Sequence, residues 1–182
     1  MHMSSLSRLR QLLRRRSVKS GDFTLASGRR SRYYIDARLT TMSGQGQVLV
    51  GEVCWQVIEE AGWKADFVGG MTLGADPVAY AIANHATRRG HRLDAFTVRK
   101  RAKGHGTGRQ IEGGLPVGAR VVVVDDTVTT GGSLLAAVEV VARHGAAIAG
   151  VLALVDREEG GGERVAEAGY DFRAVFTGGD LR

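Results

Sequence analysis

The sequence predicts an α/β fold: a mostly parallel sheet flanked by helices, with a small antiparallel piece near the N-terminus. The first observation is Val121-Val122-Val123-Val124, four β-branched apolar residues in a row. Such a run suits a strand buried on both faces, as in a parallel sheet. The second is its continuation, Asp125-Asp126-Thr127-Val128-Thr129-Thr130-Gly131-Gly132-Ser133, with helical composition from Leu134 to Arg143. Strand, small polar loop and helix make a βα unit. The third is that strand-like stretches at 65–69, 93–98, 148–155 and 172–176 alternate with helical patterns.

Composition narrows the class. A chain of 182 residues with 43% hydrophobic content can bury a core and reads as one domain over 1–182. No apolar run reaches membrane-spanning length, so no membrane partner is expected. The basic N-terminus lacks the apolar segment of a secretory signal. Cys54, the single cysteine, excludes an internal disulfide and fits a reducing cytoplasm. A net charge of +6 and a pI near 10.0 favour anionic ligands.

From the N-terminus, Ser4 or Ser5 can cap a helix running to about Arg16, with Leu6, Leu9, Leu12 and Leu13 as its apolar stripe. Arg8, Arg14 and Arg15 lie largely outside that stripe. No aromatic residue is interleaved to stack bases, so a solvated face is favoured and no nucleic-acid partner is expected. Gly21 to Ala37 reads as a hairpin-like pair turning at Ser27-Gly28. Gln45 to Ala61 reads as an amphipathic helix with Val48, Val53, Val57 and Ile58 inward.

After the strand at 65–69, Gly70 to Asp76 forms a loop of mostly small residues, and Pro77 suits the first turn of a helix to about Arg89. Such a loop either offers backbone N–H groups to an anion or is an ordinary turn. The strand at 93–98 runs into Arg99-Lys100-Arg101-Ala102-Lys103-Gly104-His105-Gly106-Thr107-Gly108-Arg109. Five cations, a histidine and three glycines share these eleven residues with no acid among them. Self-repulsion predicts a loop that a multiply charged anion would order, as a lid over 99–113.

At the central βα unit, Gly131 and Gly132 let the backbone approach a phosphate, and Thr129, Thr130 and Ser133 add hydroxyl donors. The helix start supplies unpaired N–H groups. Two acids at the mouth would repel a simple phosphate. They make sense if they accept from sugar hydroxyls, or act on a metal that also holds phosphate. No Gly-Lys-Ser/Thr and no Gly-x-Gly-x-x-Gly follows the strand, which excludes the common nucleotide loops. Downstream, the strand at 148–155 ends at Asp156-Arg157, placing an arginine fork where ligands meet parallel sheets. Gly160-Gly161-Gly162 reads as a loose turn, Glu163 to Ala168 as a helix and 172–176 as a last strand.

The run from Asp125 to Ser133 resembles the phosphoribosyl-pyrophosphate signature of type I phosphoribosyltransferases. Phe23-Thr24-Leu25, Ser27-Gly28-Arg29 and Tyr33-Tyr34 before Asp36 resemble the N-terminal hood of the orotate phosphoribosyltransferases, here about 17–40. Arg99-Lys100-x-x-Lys103-x-His105-Gly106 resembles the catalytic lid of the same enzymes. The resemblance covers about Phe23 to Arg157.

It implies a reaction of orotate with phosphoribosyl pyrophosphate and Mg²⁺, giving orotidine 5′-phosphate and pyrophosphate in pyrimidine synthesis. By the same resemblance, Asp125 and Asp126 hold the ribose hydroxyls, while Thr127, Val128, Thr129, Thr130, Gly131, Gly132 and Ser133 hold the 5-phosphate. Arg99, Lys100, Lys103 and His105 meet the pyrophosphate. Arg157, Thr129, Tyr33 and Tyr34 meet orotate. Mg²⁺ is held mainly by substrate, with Asp125 as the candidate protein contact. A lid reaching into a neighbouring subunit implies a homodimer with shared sites, and the loop at 70–76 is one that often holds a non-proline cis peptide in that family. Ala26 and Leu73 stand where many relatives carry lysine.

Two rivals remain at this stage: transfer to a purine or uracil, and a regulator that binds phosphoribosyl pyrophosphate as an effector together with nucleic acid. Arg157 and the hood argue against the first, because those bases lack a carboxylate; the lid argues against the second.

Overall fold

The computed structural model describes residues 3–24, 30–101 and 110–182. The turn at Ser27-Gly28, Ala26, Arg29, Lys103, His105 and Gly106 lie outside the described residues. Ser4 caps α1, Ser5–Arg16, its hydroxyl accepting from the Ser7 N–H at 3.2 Å. Leu9, Leu12 and Leu13 are buried in this helix, whereas Leu6 stays 47% exposed and is not part of the packed stripe.

Strands β1, Val18–Thr24, and β2, Arg30–Ile35, pair antiparallel from Val18↔Ile35 to Thr24↔Arg30 as a separate two-stranded sheet. A short helix α2, Arg38–Thr41, then leads to α3, Gly44–Glu60, which Ser43 caps. Val53 and Ile58 point inward as their spacing predicts. Val48 does not: it is 66% exposed, because the face it occupies near the start of α3 has no layer over it within this chain. Cys54 is buried in α3, and burial pushes its thiol up to about 12, which keeps it protonated and inert.

The rest of the chain builds one sheet from β3 (Phe67–Met71), β4 (Asp94–Val98), β5 (Ile111–Glu112), β6 (Arg120–Val128), β7 (Ala147–Asp156) and β8 (Phe172–Thr177). Its order is β5-β4-β3-β6-β7-β8. All neighbours are parallel except β5, a two-residue strand that runs antiparallel to β4 through Val98↔Ile111 and Thr97↔Glu112. The connecting helices are α4 (Ala75–Arg88), α5 (Gly132–His144) and α6 (Gly161–Glu167).

Strand β6 explains the layers. Val121 to Val124 are all fully buried, and the pleat sends alternate residues to opposite faces. Val122 and Val124 join the core under α1, α3 and α4, while Val121 and Val123 join the core under α5. The sheet therefore carries helices on both faces, as the sequence predicts.

The strand order also locates a crevice. From β3 the chain passes through α4 to β4 on one side, and from β6 through α5 to β7 on the other. The loops leaving the adjacent ends of β3 and β6 diverge, opening the switch point where doubly wound sheets bind ligands. No described helix is long and apolar enough to cross a membrane.

Candidate active site

At that switch point lies a cleft of about 1040 Å³. Its floor is the end of β6 and the loop beyond, from Asp125 to Leu134. One wall is Met71 to Gly74, and the others come from Tyr34 to Arg38 and from Lys100, Arg157 and Glu159.

The floor can receive an anion at one end and a hydroxylated or cationic group at the other. Gly131 has φ +77°, a left-handed turn that a glycine adopts without strain, and no side chain caps α5. The first N–H groups of this helix therefore remain available, with the exposed Thr129, Thr130 and Ser133 beside them. The Thr130 carbonyl accepts from Arg164 Nη1 at 2.6 Å, which pins the loop from behind. Gly161 packs against the same loop so closely that a Cβ there would meet Thr129 O at 2.5 Å and Gly131 N at 2.8 Å. The glycine triplet is thus a close-packing device, with α6 starting at Gly161, and more than the loose turn its composition suggests.

At the other end, Asp125 is 7% exposed and Asp126 is half-buried. The Asp126 N–H donates to Asp125 Oδ1 at 2.9 Å. Burial first, and the neighbouring Asp126 charge second, push the Asp125 carboxyl well above the usual carboxylate range. Asp126 is raised as well, by burial, against the opposing pull of the Asp125 hydrogen bond and the Arg38 charge. Two crowded carboxylates of this kind gain from a cation or from sugar hydroxyls brought between them. Gly74 leaves room for them: a Cβ there would stand 2.5 Å from Asp126 Oδ1 and 3.0 Å from Asp125 Oδ1.

The loop at 72–74 carries a cis peptide bond between Thr72 and Leu73. Asp76, in the first turn of α4, accepts from Thr72 Oγ1 at 2.6 Å and from Thr97 Oγ1 at 2.9 Å. Its carboxylate so ties this loop to β4.

The sequence-predicted residues divide into three groups. Asp125, Asp126, Thr127, Val128, Thr129, Thr130, Gly131, Gly132, Ser133, Lys100, Tyr34 and Arg157 all line the cleft. Arg99 stands outside its lining, where Nη1 bonds Glu112 Oε1 at 2.8 Å, and Tyr33 is set back, its ring 4.9 Å from the Arg157 guanidinium carbon. Lys103 and His105 lie outside the described residues.

Arg157 sits close to the phosphate loop because its N–H bonds Val128 O at 2.8 Å. Its side chain is 3% exposed and pairs with Glu159, 8% exposed, at 3.2 Å, and not with its neighbours Asp156 or Glu158.

Sequence reasoning missed Glu159, Arg38, Asp76 and Arg164. Arg38 lines the cleft with Nε on Asp36 Oδ1 at 2.9 Å, a bond that holds its guanidinium above the ordinary value. An acid and a base two apart at a strand end offered a weak signal for that pair. For Arg164 no local signal existed.

Known proteins resemble this chain along its length. Residues 44–169 match the family described as the phosphoribosyl transferase domain. The chain is 42% identical to the orotate phosphoribosyltransferase of Aquifex aeolicus over 184 residues, covering 100% of both. It superposes with a TM-score of 0.87 and 43% identity on the crystal structure of Mycobacterium tuberculosis H37Rv orotate phosphoribosyltransferase in complex with Fe(III) dicitrate, covering 98% of this chain and 99% of that one. For the same enzyme in complex with 5-phospho-alpha-D-ribosyl 1-diphosphate the TM-score is 0.83 at 39% identity, with the same coverage. A cleft at the switch point, floored by a loop rich in threonine and glycine and by a pair of acids, and a likeness that runs from end to end place this chain in the orotate phosphoribosyltransferase family.

Proposed function

We propose that this cleft transfers the 5-phosphoribosyl group from phosphoribosyl pyrophosphate to orotate, releasing pyrophosphate and orotidine 5′-phosphate in pyrimidine synthesis. The observation that carries the reading is the buried Arg157 at the end of β7, held beside a loop suited to phosphate. Orotate differs from uracil by one carboxylate, and a guanidinium fork is the group that grips a carboxylate bidentately.

The residues divide the work. Thr127 to Ser133 fix the 5-phosphate on the open N-terminus of α5. Asp125 and Asp126 accept from the ribose hydroxyls and lie near the carbon that becomes cationic. Arg157 and Thr129 hold orotate, with Tyr34 beside the ring and Tyr33 packed behind Arg157. Arg99, Lys100, Lys103 and His105 gather on the departing pyrophosphate, Arg99 exchanging its bond to Glu112 for the ligand. Orientation and electrostatics supply most of the rate.

Mg²⁺ fits the site. Among the described residues no cluster of three or more His, Cys, Asp or Glu could cage a metal unaided. The crowded Asp125–Asp126 pair would share one with substrate oxygens, Asp125 being the protein contact. When bound, the ion supplies charge neutralisation on the pyrophosphate.

Residues 1–182 act as one unit, with 17–40 as a hood and 99–113 as a lid, in the cytoplasm. The active form is a homodimer with shared sites. Leu39, Met42, Val48, Leu73 and Tyr80 are 42–66% exposed. Gln47 links their neighbourhood, its amide bonding both Thr41 O and Pro77 O. A second copy of this face would cover them.

Arg157→Ala tests the substrate reading. It is expected to weaken orotate binding by roughly ten- to more than a hundredfold, on the order of 1.5–3 kcal/mol, and to leave phosphoribosyl pyrophosphate binding unchanged in calorimetry. Lysine should restore only part, lacking the fork. Wild-type affinity for orotate in the alanine variant would remove Arg157 as the anchor.

A further inference from the structure

Arg157 is held in place by a partner two residues on. Its Nη2 lies 3.2 Å from Glu159 Oε1, and both side chains are almost wholly buried. The Tyr33 ring lies against the guanidinium, 4.9 Å from its central carbon. Both charged residues line the cleft. A buried guanidinium without a counter-charge is costly, and one with a single carboxylate is fixed in direction as well as neutralised.

The backbone is bent to make this pair. Glu158, between the two, has φ +58°, the one non-glycine residue in the left-handed region among the described residues. Such a conformation is disfavoured for a side chain with a Cβ and persists where its surroundings impose it. Here the Glu158 N–H bonds Asp156 Oδ1 at 2.9 Å, and its carboxylate accepts from the Gly179 N–H at 2.9 Å. That local turn lets residues 157 and 159, separated by one residue, present their charged ends to each other.

The pairing leaves a donor over. Among the described residues, Arg157 Nε is buried and has no hydrogen-bond partner. A buried N–H left unpaired is costly, and the contact with Glu159 holds the guanidinium in place in spite of that cost.

From these contacts we infer that Glu159 is a positioning residue for substrate selection. It holds the Arg157 guanidinium by Nη2, beside the Tyr33 ring, so that the group keeps one direction at the cleft for the carboxylate of the incoming base. The inference rests on the proposed seating of orotate at Arg157. Glu159 itself touches no reacting atom.

A double-mutant cycle in steady-state kinetics tests it, using the full chain with Mg²⁺, orotate and phosphoribosyl pyrophosphate. Glu159→Ala is expected to raise the KM for orotate roughly tenfold, with kcat and the KM for phosphoribosyl pyrophosphate little changed. In an Arg157→Ala background the same substitution should add almost nothing. Glu159→Gln keeps an acceptor without the charge, and should show a smaller rise; it also serves if the alanine variant does not fold.

An unchanged orotate KM in both Glu159 variants, beside a raised one in Arg157→Ala, would overturn the role of Glu159 and leave Arg157 as the anchor. An equal rise with and without Arg157, or a collapse of kcat and both KM values together, would also overturn it. An Arg157→Ala enzyme with normal orotate KM would instead remove the reading on which the inference rests.

Discussion

At Asp126 burial works against the charged form of the side chain. Burial raises its carboxyl, and that of Asp125, above the ordinary range, so the free protein is burdened by their charged forms. Below the unfolded carboxylate pKa of about 4 both states are protonated and the burden vanishes. As pH rises toward the raised values, the unfolded chain ionises first, and the folded state loses stability relative to it. Above the raised values the loss is complete. Asp126→Asn should therefore stabilise the ligand-free protein at neutral pH by roughly 0.5–2 kcal/mol, read as a higher melting temperature, while abolishing most activity. Scanning calorimetry should show that gain shrinking as the pH falls toward 4. A variant destabilised at pH 7 would contradict the stated cause of the shift.

The acids themselves were legible in the sequence because everything that defines them is local: four valines, two acids, then loop-forming and helix-starting residues. Arg157 was legible for the same reason, at the end of a second apolar run. Its partner Glu159 was not, because the pair depends on a left-handed turn at Glu158. Arg38 was not, because its influence on Asp126 spans two elements far apart in the chain.

Among the elements, the loop at 129–133 on the cleft floor packs closely on the start of α6. A Cβ on Gly161 would meet Val128 Cγ1 at 2.4 Å and Thr129 O at 2.5 Å, so the phosphate loop would have to move. Gly161→Ala is expected to cost roughly 1–3 kcal/mol as overpacking. Most of it should appear as weaker binding of phosphoribosyl pyrophosphate, about tenfold in calorimetry, since the loop yields more readily than β6. Unaltered affinity would mean that the loop's position does not depend on α6.

Most strands and helices longer than about five residues were readable from periodicity to within two residues at their ends, but β1 starts three residues before Gly21 and β6 runs on past Val124 to Val128. The two-residue β5 was not, because Ile111-Glu112 carries no pattern of its own and pairs only once β4 is in place. Val48 was read as inward from helical spacing alone, and its exposure is a property of which layers cover α3.

That exposed face bears on the whole molecule. Val48, Met42, Leu73 and Tyr80 would be an unusual set of large apolar groups to leave in water. Val48→Glu should shift the protein to monomer in sedimentation equilibrium and lower activity with it, as the proposed shared sites require. A dimer as stable as wild type would place the interface elsewhere. The net charge of +6 belongs to this scale too, and favours anionic ligands.

The activity proposed for the cleft at the β3–β6 switch point is selection of a base by its carboxylate and the joining of that base to phosphoribose. It is tested most directly by incubating the protein with phosphoribosyl pyrophosphate and Mg²⁺ and offering orotate, uracil, hypoxanthine or adenine separately. Pyrophosphate release is then followed for each. The account predicts release with orotate, and little with the other three. Comparable release with uracil or with either purine would contradict it.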